Sequence, residues 1–377
     1  MHRLLLPLLL SGPAGATPRV APAAFAIPAR ADTTADTTWY ITNRGRRGGR
    51  MTRTVGDSLS FGYVVTRFEE QRGVTVAERL LERLRSQRTD SVELPRAEFV
   101  RRVAAADARA AARNEGAVLY VHGFATSFGR AISQSAETAH RGEYRGPFIL
   151  FAWPAHTALA TWPTPRMLIS HAYRDDSVSA AHSAAAFRAA LAVVREAVRP
   201  GALTVVGHSL GAQLVSEALR VPSAERDALT RQPLRAIALF APDVGALWFR
   251  DSVAPAIAPL AGRRIVYASS ADRLLELSRW LNHTPRLGQV SATRFLAGAD
   301  IEFVDVTRAE RAWSIWPDLH HAMRASGGAL FDLFYDVVRG EPASCRTATG
   351  LAARDTTGVW RLQRSPVPPS AVCVPTD

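Results

Sequence analysis

Short, largely apolar runs stand at 116–121, 148–152, 203–206, 234–239, 264–268 and 301–306 of the chain. Runs this short, with β-branched residues and no polar alternation, predict strands buried on both faces. Between them the apolar positions fall at helical spacing, over 97–113, 127–140, 176–198, 246–261 and 272–281. A further helix is expected after His320, ending near Arg339. Strands alternating with helices predict an α/β fold, a mostly parallel central sheet with helices on both faces. Upstream, 39–42 and the alternating 59–65 read as strands paired antiparallel at one edge, separated by the Gly/Arg loop 44–50. The stretch 76–87 reads as a helix. Residues 27–37, rich in Ala, Thr, Asp and Pro, read as a linker. Beyond Gly340 neither period is visible, and Pro366, Pro368 and Pro369 crowd the end. The chain thus divides into an α/β domain at 38–340 and a Pro-rich tail at 341–377. On the last helix Asp332 and Asp336 lie one turn apart and read as exposed positions.

One strand–helix junction carries chemistry. Leu203-Thr204-Val205-Val206 runs into Gly207-His208-Ser209-Leu210-Gly211, and a helix follows with Leu214, Val215 and Leu219 at helical spacing. A G-x-S-x-G pentapeptide in that context is a nucleophile elbow. The turn is so tight that the serine takes a strained backbone conformation. Side chains two residues to either side would collide, hence the glycines. Ser209 is thereby presented at the carboxyl edge of the sheet, where the helix dipole favours developing negative charge. Without those flanks the pentapeptide would be an ordinary Gly-rich turn.

The formal net charge of +12 invites a nucleic-acid reading. The 46 basic residues are all arginine in an Ala-rich chain, which reads as compositional bias. They are scattered apart from those at 44–50, and no recognition helix or RNA motif accompanies them, so no nucleic-acid partner is expected. At the N-terminus, His2-Arg3 precedes the apolar run 4–10, and small-residue sites follow at Ala14-Gly15-Ala16 and Ala24-Phe25-Ala26. Residues 1–26 therefore read as a secretory signal peptide, with a mature start near Thr17 or Ile27. The run is too short to span a bilayer and no other stretch is long enough, so stable membrane insertion is not expected. An exported protein, periplasmic or secreted, meets oxidising conditions. There Cys345 and Cys373 are expected to pair and pin the tail; two free thiols are the alternative.

A serine needs a base, and the base needs an orienting acid. In this topology they follow the serine in the order acid, then histidine. Asp272 stands just past the strand at 264–268, and His320 and His321 stand past the last strand. Asp243, past the strand at 234–239, is the rival acid. His320 and His321 are adjacent, so only one can face Ser209, and the spacing does not choose between them. The oxyanion needs two N–H donors. Leu210, next to the nucleophile, supplies one; Phe124, in the turn His122-Gly123-Phe124, can supply the other. His122 and His208 read as packed residues of their turns. The histidines lack metal-ligand spacing and no phosphate loop is present, so neither cofactor nor metal is expected.

These features resemble the α/β-hydrolase superfamily. The nearest resemblance is to a bacterial family of uncharacterised α/β-hydrolases with HGYN-like and GHSMG-like motifs. It is carried by Ile41-Thr42-Asn43-Arg44, by 121–127 around His122-Gly123, and by Phe151-Ala152-Trp153-Pro154. Gly207-His208-Ser209-Leu210-Gly211, 271–279, Arg286-Leu287-Gly288 and the stretch from His320 to Asp332 complete it. The resemblance spans about residues 39–340. It implies Asp272 as the acid and His320 rather than His321 as the base. Phe124-Ala125 departs from that family's Tyr-Asn. The resemblance implies a hydrolase without naming a substrate.

The expected activity is therefore a serine hydrolase acting on carboxylic esters, small-molecule or lipid-like, through an acyl-enzyme. An amide or thioester hydrolase or an acyltransferase would use the same triad. A non-catalytic envelope binding protein on the same scaffold is the reading of a different class. The Trp- and Pro-rich loop 153–167 is a candidate wall for the acyl pocket.

Overall fold

The apolar runs hydrogen-bond into one twelve-stranded sheet. A computed structural model describes residues 34–68, 86–155, 166–221, 223–296, 299–309 and 327–363. The strands are β1 (Thr34–Arg47), β2 (Arg50–Phe68), β3 (Ser86–Arg88), β4 (Val92–Leu94), β5 (Ala117–Val121), β6 (Phe148–Phe151), β7 (Leu203–His208), β8 (Leu234–Phe240), β9 (Ala261–Ala268), β10 (Glu302–Asp305), β11 (Ala352–Arg354) and β12 (Trp360–Leu362). Their order is β11-β12-β10-β9-β8-β7-β5-β6-β1-β2-β3, with β4 also on β2. From β1 through β6, β5, β7, β8, β9 and β10 to β12 every pairing is parallel. Antiparallel pairs occur at both flanks, β1 with β2 and β11 with β12.

Alternate residues of each central strand enter opposite layers, as a period of two requires. Leu119, Val121, Val205, Ile237, Leu239 and Val266 face α1 (Arg96–Ala111), α3 (Arg166–His182), α4 (Ala184–Ala197) and α5 (Leu210–Leu219). Val118, Tyr120, Val206, Ala238, Ile265 and Tyr267 face α2 (Phe128–Arg141) and the helix α8 (Gly327–Phe331), which continues as a π-helical turn over Asp332–Val337. The remaining helices are α6 (Ser223–Thr230), α7 (Arg273–Asn282) and α9 (Cys345–Ala348). Each large apolar side chain sealed between a layer and the sheet contributes about 1.5–3 kcal/mol. The described residues fall in one compact unit.

Several sequence expectations need correction. β1 begins at Thr34, inside the stretch 27–37 read as a linker, and 44–50 is not a loop. β1 and β2 run through it as a hairpin, turning at Gly48 and Gly49, whose φ values of 56° and 74° suit a two-residue turn. Glycine and arginine there hide the strand's alternation. Residues 86 and 87 lie in β3 rather than a helix; the rest of 76–87 lies outside the described residues. The single helix expected at 176–198 is two, α3 and α4, bent by 49° around Ser183. The Ser183 hydroxyl donates to Ser179 O at 2.8 Å, a back-bond that bends helices. The helix expected at 246–261 is present over 246–260, wound as a π-helix at Phe249–Val253 and tightened to a 3-10 turn at Ala258–Leu260.

The largest correction concerns the tail. Residues 341–363 are not structureless: α9, β11 and β12 pack onto the domain, and β12 extends the parallel ladder. Asp332 and Asp336 are buried, not exposed. Arg346, from α9, is itself fully buried and donates to Asp332 through Nε at 2.7 Å and Nη2 at 2.9 Å. Tyr267 donates to the same carboxylate at 2.6 Å, and Arg346 Nη1 reaches Glu302 at 2.6 Å. The partner lies in a stretch without local periodicity, so the helix pattern alone misplaced both acids. Cys345, beside Arg346, is buried and disulfide-bonded; Cys373 lies outside the described residues.

Burial opposes charge on Asp332, but the Arg346 guanidinium and the Tyr267 hydroxyl hold its carboxyl below the usual range. Asp336 lacks such partners' full benefit. Burial and the Asp332 charge push it from 3.8 up to about 7. The native state therefore holds this proton more tightly than the unfolded chain, and its contribution to stability is lost as pH rises through about 7. Asp336→Asn removes the titration. In thermal melts the variant should gain stability relative to the parent on going from about pH 5 to about pH 8. A pH-independent difference between the two would contradict the assignment.

Candidate active site

β7 ends at His208 and α5 begins at Leu210, leaving Ser209 alone to make the turn. Its φ is 56° and its ψ −122°, a conformation L-residues avoid. Backbone bonds fix it from both sides. Ser209 N donates to Phe240 O at 3.0 Å, and its carbonyl accepts from Ala212 N at 2.9 Å and Asp243 N at 3.3 Å. Gly211 is required by close approach: a Cβ there would lie 2.3 Å from Val121 O and 2.5 Å from His122 O. The elbow is thus pressed against the end of β5.

That end carries the turn His122-Gly123-Phe124. A Cβ on Gly123 would stand 2.9 Å from Cβ of Ser209, so this turn faces the serine directly. Phe124 follows, half-buried, with its ring against Tyr173 at 5.9 Å. Of the two residues expected to donate to an oxyanion, Phe124 therefore stands in the turn that faces Ser209, and Leu210 opens α5 directly after it. His122 is fully buried and stacked on Trp153 at 5.1 Å. Its ring nitrogens face Gly123 O at 2.9 Å and Trp153 O at 3.2 Å, and Trp153 Nε1 donates back to His122 O at 2.7 Å. Burial, aided by the Arg44 charge, lowers its pKa to about 3. The ring is uncharged at neutral pH and packed in its turn, as the sequence suggested for its packing. Ala125 has a φ of 52°, a region that suits glycine or asparagine better than alanine.

The two candidate acids have different surroundings. Asp272 is buried at the head of α7, past the carboxyl end of β9, and its Oδ1 accepts from Leu275 N at 2.9 Å as the helix N-cap. Capping engages one oxygen of the carboxylate, and asparagine caps as well as aspartate. Asp243 is buried in an ion pair. Arg286 Nε donates to its Oδ1 at 2.6 Å, Arg286 Nη2 to its carbonyl at 2.7 Å, and the Ser278 hydroxyl to Oδ1 at 2.5 Å. Tyr173 and Asn282 extend this cluster through Ser278 at 3.1 Å each. Arg286-Leu287-Gly288 also ties the two acid loops together. Leu287 N donates to Val244 O, Gly288 N to Pro242 O, and Ser269 N to Gly288 O, at 2.8, 3.0 and 2.9 Å. These residues were visible as motif pieces, but their partners lie on other loops and no local spacing announces them.

His320 and His321 lie outside the described residues, as do 156–165 of the Trp- and Pro-rich loop. Among the described residues no three His, Cys, Asp or Glu side chains gather as a metal site. Among them, too, no single helix is long and apolar enough to cross a membrane.

A mostly parallel sheet with helices on both faces and a serine elbow after a central strand define the α/β-hydrolase class. The chain belongs to the family described as alpha/beta hydrolase of unknown function (DUF900), whose model matches residues 103–331. No curated protein matches the chain. Among solved structures, a fungal esterase from Rhizomucor miehei is similar at 10% identity over 81% of this chain and 84% of its own, with a TM-score of 0.32. Two structures of an esterase from Pyrobaculum calidifontis are similar at 14% and 12% identity. They cover 58% and 72% of this chain and 76% and 82% of their own, with TM-scores of 0.29 and 0.30.

The Asp243–Arg286 pair makes a sharp expectation. Arg286→Met leaves a buried carboxylate without its cation, which should cost about 3–5 kcal/mol of stability in urea unfolding. A loss below about 1 kcal/mol would show that the pair does not hold these loops.

Proposed function

We propose that the protein is an exported serine hydrolase that cleaves carboxylic esters through an acyl-enzyme. The observation that carries this reading is the strained Ser209 at the elbow, pressed against the Gly123 turn. In this reading Ser209 Oγ attacks the ester carbonyl carbon while His320 takes its proton. Asp272 orients the imidazole and stabilises the imidazolium. The N–H groups of Phe124 and Leu210 receive the oxyanion, and the N-terminus of α5 adds its dipole. His320 then protonates the leaving alcohol as the carbon–oxygen bond breaks. Water repeats the sequence on the acyl-serine and releases the acid. The resemblance to the family with HGYN-like and GHSMG-like motifs, which implies His320 and Asp272, and the Arg286 pairing of Asp243 support His320 and Asp272 over His321 and Asp243. The leader-like 1–26 supports export, and the disulfide at Cys345 suits an oxidising compartment.

Ser209→Ala should abolish fluorophosphonate labelling and lower kcat on aryl esters by about 10⁶-fold, and His320→Ala should come close. Asp272→Asn keeps the helix cap and should lose on the order of 10⁴-fold. His321→Ala should retain most activity. Full hydrolysis by Ser209→Ala of an ester the parent cleaves would refute the mechanism. A parent that neither labels nor cleaves a chain-length series of aryl esters would favour a binding protein.

Export has its own test. N-terminal sequencing of the protein from a host's periplasm should read from near Thr17 or Ile27. An intact Met1 in the cytoplasm would contradict it.

A further inference from the structure

The turn that carries the Phe124 N–H is held by side chains from distant parts of the chain. His122 Nδ1 lies 2.9 Å from Gly123 O, the carbonyl of the peptide whose N–H belongs to Phe124. Thr126 Oγ1 donates to Phe124 O at 2.9 Å. Ala125 N donates to Asp176 Oδ2 at 2.9 Å. Arg44 Nη2 donates to Thr126 O at 2.9 Å. Asp176 comes from α3 and Arg44 from β1, and both are buried, at 0% and 3% exposure.

This is an expensive way to hold a surface turn. Removing a carboxylate and a guanidinium from water is unfavourable unless each is paired and bonded. Burial lowers the Arg44 pKa to about 10, with the Asp176 charge opposing the fall, so the guanidinium stays ionised at neutral pH. Ala125 is also held at positive φ, where glycine or asparagine would sit with less strain. An outside bond to its N–H compensates for that choice. Donors fixed before the reaction stabilise an oxyanion without reorganising at the moment of attack.

We propose that Asp176 and Arg44 are positioning residues of the oxyanion hole, clamping the Phe124–Thr126 turn so that the Phe124 N–H stays aimed at the developing oxyanion. This rests on the serine-hydrolase reading above. Neither side chain touches substrate; each acts through the backbone of the turn. The Thr42-Asn43-Arg44 segment of β1 thereby gains a role. Thr42 and Asn43 anchor this part of β1, through Ala152 O at 2.5 Å and Ser183 Oγ at 3.0 Å, and Arg44 reaches the turn from that anchor.

The test uses the full chain and three proteins: parent, Asp176→Ala and Asp176→Asn. Fluorophosphonate labelling run to completion counts competent sites, so kcat is expressed per labelled serine. Asp176→Ala removes both charge and acceptor and should lower kcat per site about 10–100-fold, with KM within about threefold. Asp176→Asn keeps an acceptor for the Ala125 N–H and should lose about three- to tenfold, a partial rescue. If Asp176→Ala does not fold, Asp176→Asn decides. A lower melting temperature with unchanged kcat per site in the folded variants would assign a structural role and overturn the proposal. So would a rise in KM at constant kcat. A parent that does not label at Ser209 overturns the serine-hydrolase reading and the clamp with it. A labelling parent with unaffected variants overturns the clamp alone.

Discussion

The backbone of Ser209 is the constraint on which the site depends. A non-glycine residue at such φ and ψ costs on the order of 1–3 kcal/mol and persists only where its surroundings over-determine it. Here Phe240, Ala212 and Asp243 all bond to its peptide groups, and the end of β5 leaves no room beside Gly211. Those partners belong to β8, to α5 and to the loop after β8. The strand order that makes β5, β7 and β8 neighbours is thus the condition for the serine's geometry. The core packed on both faces of that sheet supplies the free energy that sustains the strain.

Around this centre the loops are tied by buried arginines. Arg44 meets the Gly123 turn, Arg286 joins the two acid loops, and Arg346 fastens the C-terminal segment to α8 and the sheet. A planar guanidinium can bond several acceptors at once and stays charged under burial, which a lysine does less readily. A chain that carries arginine as its sole strong base is well supplied for this use. The same pairing keeps Asp332 charged, and Asp336, buried beside that charge, holds its proton instead.

Much of the architecture was legible because it is local. The apolar runs of β5, β7, β8 and β9 and the elbow at 207–211 need no distant partner to be recognised. What was misread depends on contacts between remote residues. Asp332 and Asp336 look exposed until Arg346 is placed beside them, and β12 is too short to show a period until β10 pairs with it. Asp243 passes for a free acid until Arg286 is seen, and nothing near Asp176 in sequence links it to Ala125. The helix at 176–198 was read as continuous because a serine inside an alanine-rich run barely disturbs its apolar period.

The flanks of the sheet have a consequence for the chain's behaviour among its own copies. An open sheet ends in unpaired amides and carbonyls that can recruit a further strand. In the described strand order the terminal members are β11 and β3, three residues each, and both end in arginine. Strands so short present little template, and their charges repel a like neighbour. The long, hydrophobic, parallel ladder is kept between them. The parallel ladder therefore meets no copy directly, and among the described pairings the place where a further strand can add is the outer side of β2 over 50–60, which has only β1 beside it.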